Sequence, residues 1–220
     1  MGVSSHAHQA SLASGKTLVL ASQSPRRLQL LQQLGFDPVC LPADVDESRL
    51  ENEPAEQMII RLSHLKAEAC QQLHNFQALS EGGGSLYILA ADTVIELDGE
   101  VLGKPADENE GLSMLLRLSN REHRVLSGVC LHTPSGKPLS LLVSTSVKFT
   151  TIDAQIARRY WASGEPQGKA GCYAIQGIGA KFVEHIEGSY SNVVGLPLFE
   201  TSRLLESAGF TSIEQHSRQG

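Results

Sequence analysis

Arg26 and Arg27 stand side by side in LVLASQSPRRLQLL, where a helix begins. The N-terminus of a helix already carries unpaired N–H groups and partial positive charge. Two guanidinium groups there are favourable with an anion close by, and their forked donors suit phosphate oxygens; the alternative is a pair of solvated arginines on a surface helix. Asp44, Asp46 and Glu47 crowd the loop PADVDESRLENE (42–53), which is either a hard-cation site for magnesium or manganese or an exposed acidic run. Asp92 follows ILAA in the most apolar stretch of the chain. A carboxylate buried there needs a cation or metal partner; at a strand end it could instead face solvent. Lys104 returns from the next hairpin towards the same end. Lys66 lies beside the apolar face of a long helix, where it either joins this set or snorkels to water. Two arginines, two lysines and at least two carboxylates are what a polyphosphate and a divalent cation require. From residue types alone, the chain reads as a nucleotide or sugar-phosphate enzyme.

The Gly-rich pieces add no independent motif. GEVLGKP (99–105) has a gap of three residues where a P-loop has four, and Pro105 stands where Ser or Thr must hold magnesium. GIGAKF (177–182) lacks the third glycine of a dinucleotide fingerprint. SHLK (63–66) matches Ser-x-x-Lys without the other penicillin-binding elements.

These residues need a scaffold. TLVLAS (17–22) reads as a buried strand and is followed by Ser24 as N-cap and Pro25 at the first helical position. Leu28, Leu31 and Leu34 give that helix its apolar stripe, and Gly35 ends it. FDPVCL reads as a second short strand. Pro54 opens a long helix whose buried face is Met58, Ile59, Leu62, Leu65, Ala69 and Leu73. LSEGGGS (79–85) reads as a flexible connector and LYILAADTVIEL (86–97) as a strand ending in the turn Asp98-Gly99. Asp107 begins a helix through Leu118, and a hairpin follows in which Val143, Thr145, Val147 and Phe149 alternate faces. Asp153 caps a helix to Ser163-Gly164, AKFVEHIEG reads as a strand, and Pro197 starts the last helix. Strands and helices alternate while hairpins interrupt them, which predicts an α/β fold with a mixed β-sheet and packed helices. The expected organisation is a mobile tail over residues 1–16, one domain over 17–210 and a C-terminal tail over 211–220.

Bulk properties narrow the class. A net charge of −6 over 220 residues argues against a general nucleic-acid binder. No apolar run approaches the roughly 18 residues of a membrane span. The first 16 residues have no apolar core of a secretory signal, and His6 stands where a myristoylation pattern needs Ser or Thr. His6 and His8 could bind metal, or belong to a solvated tail. Cys40, Cys70, Cys130 and Cys172 are irregularly spaced, with no CxxC pair; each reads as a small buried hydrophobe, with no ligand spacing for zinc. The expected compartment is the reducing cytoplasm.

Six blocks carry a resemblance: LASQSPRRLQLLQQLGF, DVDE (44–47), RLSHLKA (61–67), AADTVIELDGEVLGKP (90–105), HRVLSGVCL (123–131) and GEPQGKAGCYAIQGIGAKFVEHIEGSYSNVVGLPLFET (164–201). In this order, over about residues 17–205, they resemble the Maf family of nucleoside triphosphate pyrophosphatases, once named for septum formation. The resemblance implies an elongated, two-lobed fold with a central cleft, similar to the inosine triphosphate pyrophosphatases. It also implies a homodimer, a divalent metal (Mg2+ or Mn2+) and cleavage of a nucleoside triphosphate to the monophosphate and pyrophosphate. Ser22 and Ser24 match the serines of the family's opening motif, and Arg26 and Arg27 its phosphate-binding arginines. Glu47 matches the metal-site glutamate, Lys66 and Lys104 two active-site lysines, and Asp92 the aspartate assigned to metal binding and water activation. Gln176 matches a glutamine of the base and active-site pocket. ADTV and YAIQG resemble the branch acting on dTTP and UTP; the branch acting on 7-methyl-GTP tends to have Gln after the aspartate and Ser-Glu-Gly in place of Ile-Gln-Gly. Thr93 and Gln176 therefore bear the substrate class. The competing expectations are a pyrophosphatase for modified purine nucleotides such as 7-methyl-GTP, and a nucleotide-binding regulator of cell division.

Overall fold

A computed structural model describes residues 15–211. The tails expected at the two ends lie outside these residues apart from Gly15, Lys16 and Thr211, and Lys16 already belongs to the first strand. In chain order the elements are β1 (Lys16–Leu20), α1 (Pro25–Gln33), β2 (Val39–Cys40), α2 (Ala55–Gln71), α3 (His74–Glu81), β3 (Ser85–Leu97), β4 (Glu100–Leu102), α4 (Glu108–Leu118), β5 (Glu122–His132), β6 (Leu139–Phe149), α5 (Ala154–Ala162), β7 (Val183–Glu187), α6 (Tyr190–Val194) and α7 (Leu198–Ser207). Two 3-10 turns, Ala170–Cys172 and Ile178–Phe182, lie between α5 and β7.

The strands form one mixed sheet in the order β2-β1-β3-β5-β6-β7, with β4 added to β3. β1 runs parallel to β2 and β3; the remaining pairs are antiparallel. The alternation of β3 sends Leu89, Ala91 and Leu97 to one face and Ile88, Ala90 and Val94 to the other. The first face is covered by residues of α1, α4, α5 and α7, including Leu31, Leu115, Tyr160 and Leu205. The second is covered by α2, whose Ala67 and Cys70 pack on Val19, Ile88, Ala90 and Cys130, and whose Ile59 packs on Val94 and Leu126.

The helix-start signals hold. Ser24, Asp107 and Asp153 each accept a hydrogen bond from a backbone N–H of the first turn. Four local expectations are corrected. The strand expected over FDPVCL shrinks to Val39–Cys40. The connector expected to begin at residue 79 overlaps a helix, because Leu73, Phe76 and Leu79 pack on the α2 side of the sheet. The strand expected over AKFVEHIEG begins at Val183, its first residues forming a 3-10 turn. Cys40 is exposed, whereas Cys70, Cys130 and Cys172 are buried as expected.

The face of α2 is also rotated from the expected one. Ser63, Lys66, Ala67 and Cys70 are buried along with Met58, Ile59 and Leu62, while Leu65 and Ala69 are only half-buried. A contact between β5 and α2 makes this possible. Gly128 pairs with Asp92 across the strands, and a Cβ there would lie 2.6 Å from the Ile59 carbonyl oxygen. The missing side chain lets α2 sit directly on the sheet, close enough for Lys66 to reach β3.

Candidate active site

β1 ends opposite Leu89, and β4 first pairs with β3 at Ile95. Between them, among the described residues, one edge of β3 has no strand partner. Asp92 and Thr93 occupy that opening, and the N-terminus of α1 and the loop after β4 border it. In open α/β sheets this is where ligands bind, beyond the carboxyl end of a strand whose neighbour departs.

On the α2 side, Lys66 Nζ lies 2.5 Å from Asp92 Oδ1 and 2.7 Å from Glu47 Oε1. The Lys66 and Asp92 side chains are 11% and 12% exposed, and that of Glu47 is 51% exposed. Lys66 therefore does not snorkel: it turns inward because Asp92 compensates its charge. Glu47 closes the group from the solvent side. Burial raises the Glu47 pKa, but the hydrogen bond and charge of Lys66, with the charges of Lys104 and Arg27, outweigh this and hold it below its ordinary value. Asp44 and Asp46 do not converge with Glu47. Asp44 accepts from Gln23 Nε2 at 3.2 Å, and Asp46 accepts from the Ser48 N–H at 2.9 Å. The crowding of three carboxylates in sequence becomes one inward carboxylate, because a turn needs Asp46 for its own backbone.

The loop bearing Glu47 is tied to the helix bearing Lys66. Arg61 of α2 grips Glu53 through two bonds, Nε to Oε1 at 2.6 Å and NH2 to Oε2 at 2.7 Å, and also donates to the Ser48 carbonyl at 3.0 Å. Glu53 in turn accepts from the Leu50 N–H at 3.1 Å. The Arg61 hydrogen bond pulls the Glu53 pKa down to about 2. This bidentate pair is a positioning device that sequence reasoning missed; the signal for it is Arg61 in RLSHLKA, five residues before Lys66.

On the α1 side, Arg27 is held at three points. Its Nε donates to the Gly195 carbonyl at 2.9 Å, NH1 to Ser22 Oγ at 3.3 Å and NH2 to Thr93 Oγ1 at 3.2 Å. Ser22 Oγ also accepts from the Ser24 N–H, and Thr93 Oγ1 contacts Ser127 Oγ at 2.8 Å and the Gly195 carbonyl at 3.3 Å. Burial lowers the Arg27 pKa while Asp92 and Glu47 push it back up, so the arginine stands within the field of the carboxylates. Ser22, Ser24, Arg27 and Thr93 thus form one network, and Gly195, from the segment after α6, is its unforeseen member.

Arg26 is half-buried and makes no hydrogen bond or ion pair among the described residues. Lys169 is half-buried too; burial and then the charge of Arg26 lower its pKa, against the opposing charge of Glu165. Lys169 lies in the GKAG stretch of a motif already singled out, yet was not itself chosen. Lys104 is exposed and acts on Glu47 through its charge. Gln176 is exposed, and no bond joins it to Asp92, Lys66 or Arg27. The turn that carries it is fixed by Glu165, which accepts from the N–H groups of Ile178 (2.8 Å) and Gly179 (2.9 Å) and from the Tyr160 hydroxyl (2.6 Å). A Cβ on Gly177 would fall on the Glu165 carboxylate, so this turn needs glycine there.

Residues 17–208 match the family described as Maf-like protein. The chain is 46% identical over 188 residues to the dTTP/UTP pyrophosphatase of Pseudoalteromonas translucida (strain TAC 125), covering 86% of this chain and 95% of that protein. It is 47% identical over 196 residues to the dTTP/UTP pyrophosphatase of Anaeromyxobacter sp. (strain Fw109-5), covering 87% and 89%. It is 44% identical over 199 residues to that of Agrobacterium fabrum (strain C58 / ATCC 33970), covering 90% and 94%. Among solved structures, the Staphylococcus aureus Ham1 protein aligns over 60% of this chain and 71% of that one, at 17% identity and a TM-score of 0.43.

Proposed function

The chain belongs to the Maf family, and from that premise we propose that it hydrolyses dTTP and UTP to the nucleoside monophosphate and pyrophosphate. The observation that carries the reading is the convergence of Glu47 and Asp92 on one Lys66 ammonium at the open edge of β3, within the field of Arg27 of α1.

Glu47 and Asp92 already share a cation, and as hard oxygen donors they fit Mg2+ or Mn2+, which leave positions for waters and substrate phosphates. Such an ion, when bound by them, supplies charge neutralisation to the phosphate oxygens. Arg26, Arg27 and Lys104 bind the triphosphate, and the unpaired N–H groups of the α1 N-terminus add to the attraction. Asp92 orients a water on the α-phosphorus and accepts its proton as the P–O bond to the β-phosphate breaks. The charge gathering on the departing pyrophosphate is met by fixed arginine and lysine donors. Lys66 stands between the two carboxylates and bonds to both. Ser22 and Thr93 hold the guanidinium of Arg27, and through it the register of the phosphates. Gln176, on its braced turn, hydrogen-bonds the pyrimidine ring, which rejects purines by leaving its polar groups unpaired. Thymine and uracil differ by one methyl, worth about 1–3 kcal/mol, so both nucleotides are accepted.

The family resemblance also carries the expectation of a homodimer in the cytoplasm, which light scattering and cell fractionation test. No helix among the described residues is long and apolar enough to cross a membrane. The decisive experiment is pyrophosphate release from dTTP, UTP, CTP, dCTP, GTP and 7-methyl-GTP, with Mg2+ or Mn2+ and with chelator. Metal-dependent turnover of dTTP and UTP, with little on purines, is expected. Turnover centred on 7-methyl-GTP overturns the pocket assignment, and binding without turnover overturns the enzyme in favour of a regulator.

A further inference from the structure

A second cluster lies on the same helix–sheet interface. His64 stands on α2, two residues before Lys66; Cys130 and His132 alternate on β5. One ligand atom from each of the three lies within 4.8 Å of the other two. His64 Nδ1 is 3.3 Å from Cys130 Sγ, and His64 Nε2 is 2.7 Å from Ser140 Oγ on β6. The His64 and His132 rings are 5.7 Å apart between centroids. His132 Nε2 is buried and has no hydrogen-bond partner. Cys130 is a small buried residue as expected, and two histidines outside any short ligand spacing stand beside it. The three side chains come from one helix and one strand 66 residues apart, and no short-range motif records that separation.

We propose that His64, Cys130 and His132 form a metal site, separate from the catalytic one, for a borderline-soft divalent ion of the Zn2+ class. Nitrogen and sulfur donors select Zn2+ or Co2+, whereas Mg2+ and Mn2+ prefer the oxygen pair Glu47 and Asp92. Tetrahedral zinc with bonds of about 2.0–2.3 Å sets neighbouring ligand atoms about 3.3–3.6 Å apart. His64 Nδ1 and Cys130 Sγ already have that spacing; His132, within 4.8 Å of both, closes the remaining gap on binding. With the proton on His64 Nε2, Ser140 Oγ would accept from it and the Nδ1 lone pair would be free for the metal, as an outer partner arranges for a zinc histidine. On binding, the Cys130 S–H bond breaks, its proton leaves to water and a sulfur–metal bond forms. Glu68, exposed and one helical turn after His64, acts on Cys130 and His132 through its charge, so it or a water would complete the ligand set. The ion ties α2 to β5 beside Lys66, so it braces the helix that the catalytic group depends on.

The test uses the full chain, stripped of metal and titrated with Co2+ as a spectroscopic substitute, then with Zn2+ by calorimetry. One equivalent of Co2+ is expected to give a thiolate-to-cobalt charge-transfer band that Zn2+ abolishes. His132→Gln, His64→Gln and Cys130→Ser are each expected to remove the band and to weaken Zn2+ binding by about 100-fold or more; Ser140→Ala weakens it by about 10-fold. Asp92→Asn keeps the band, which separates this site from the oxygen pair. Circular dichroism confirms folding, and if Cys130→Ser does not fold, His132→Gln decides. Absence of a thiolate band overturns the proposal. So does one-equivalent Zn2+ binding that survives these substitutions but is lost on His6→Gln with His8→Gln.

Discussion

Two polar clusters share the interface between α2 and the sheet, and they solve the burial of polar atoms in opposite ways. Glu47, Lys66 and Asp92 carry formal charge, and each charge meets an opposite one at 2.5 to 2.7 Å. His64 and Cys130 are held by hydrogen bonds rather than ion pairs, and His132 Nε2 has no hydrogen-bond partner. Paired charges withstand desolvation only while every partner stays, since removing one leaves a buried ion. A neutral cluster tolerates the loss of a member and gains from a ligand that arrives later. The first arrangement suits permanent machinery, the second an occupant that comes and goes.

Experiments that break the charged cluster should have the largest effects. Asp92→Asn keeps the shape and removes the proposed base, so kcat for dTTP is expected to fall about 10²–10⁴-fold; a variant retaining more than a tenth of wild-type kcat would rule out that role. Lys66→Met strands Asp92 beside an apolar side chain. Urea titration should show a loss of about 3–5 kcal/mol, partly recovered by adding Asp92→Asn.

The neutral extreme is His123, which is 2% exposed, contacts the Tyr173 hydroxyl through Nε2 at 2.9 Å and packs edge-on against Phe149. Burial lowers its pKa to about 4 from the ordinary histidine value of 6.5. The folded protein thus binds that proton later than the unfolded chain. The stability linked to His123 is fully present above pH 6.5 and is lost as pH falls towards 4, by up to about 3 kcal/mol. His123→Gln should flatten this part of the pH–stability curve; an unchanged curve would show that other groups set it. The smallest effect is expected in the other neutral cluster, where Cys130→Ala should cost about 1 kcal/mol in metal-free protein. A loss as large as that for Lys66→Met would erase the contrast between the clusters.

The charged cluster was legible because a carboxylate inside ILAADTV and a lysine inside an apolar helix contradict the local pattern, and such contradictions mark sites. The helix caps were legible because Ser24, Asp107 and Asp153 act within four residues of themselves. Contacts between distant segments were not. The grip of Gly195 on Arg27 spans 168 residues and uses a backbone carbonyl, which every residue has. The burial of Lys66 depends on Gly128 being bare where Ile59 crosses, a fact about two elements that neither segment carries alone. Cys130 and His132 fit a strand pattern without strain, so nothing in the local sequence sets them apart.

The brace that Glu165 builds under the Gln176 turn has a thermodynamic consequence. Ordering a backbone residue costs about 1–2 kcal/mol, and three bonds from one carboxylate fix this turn while the chain folds. With Gln176 on the base, as proposed, nucleotide binding meets a surface already ordered, and the entropic penalty of shaping it falls on folding instead. Loosening the brace with Glu165→Ala would transfer that penalty to the encounter with nucleotide. Calorimetry would register it as a less favourable binding entropy, while the bonds the base finally makes stay the same.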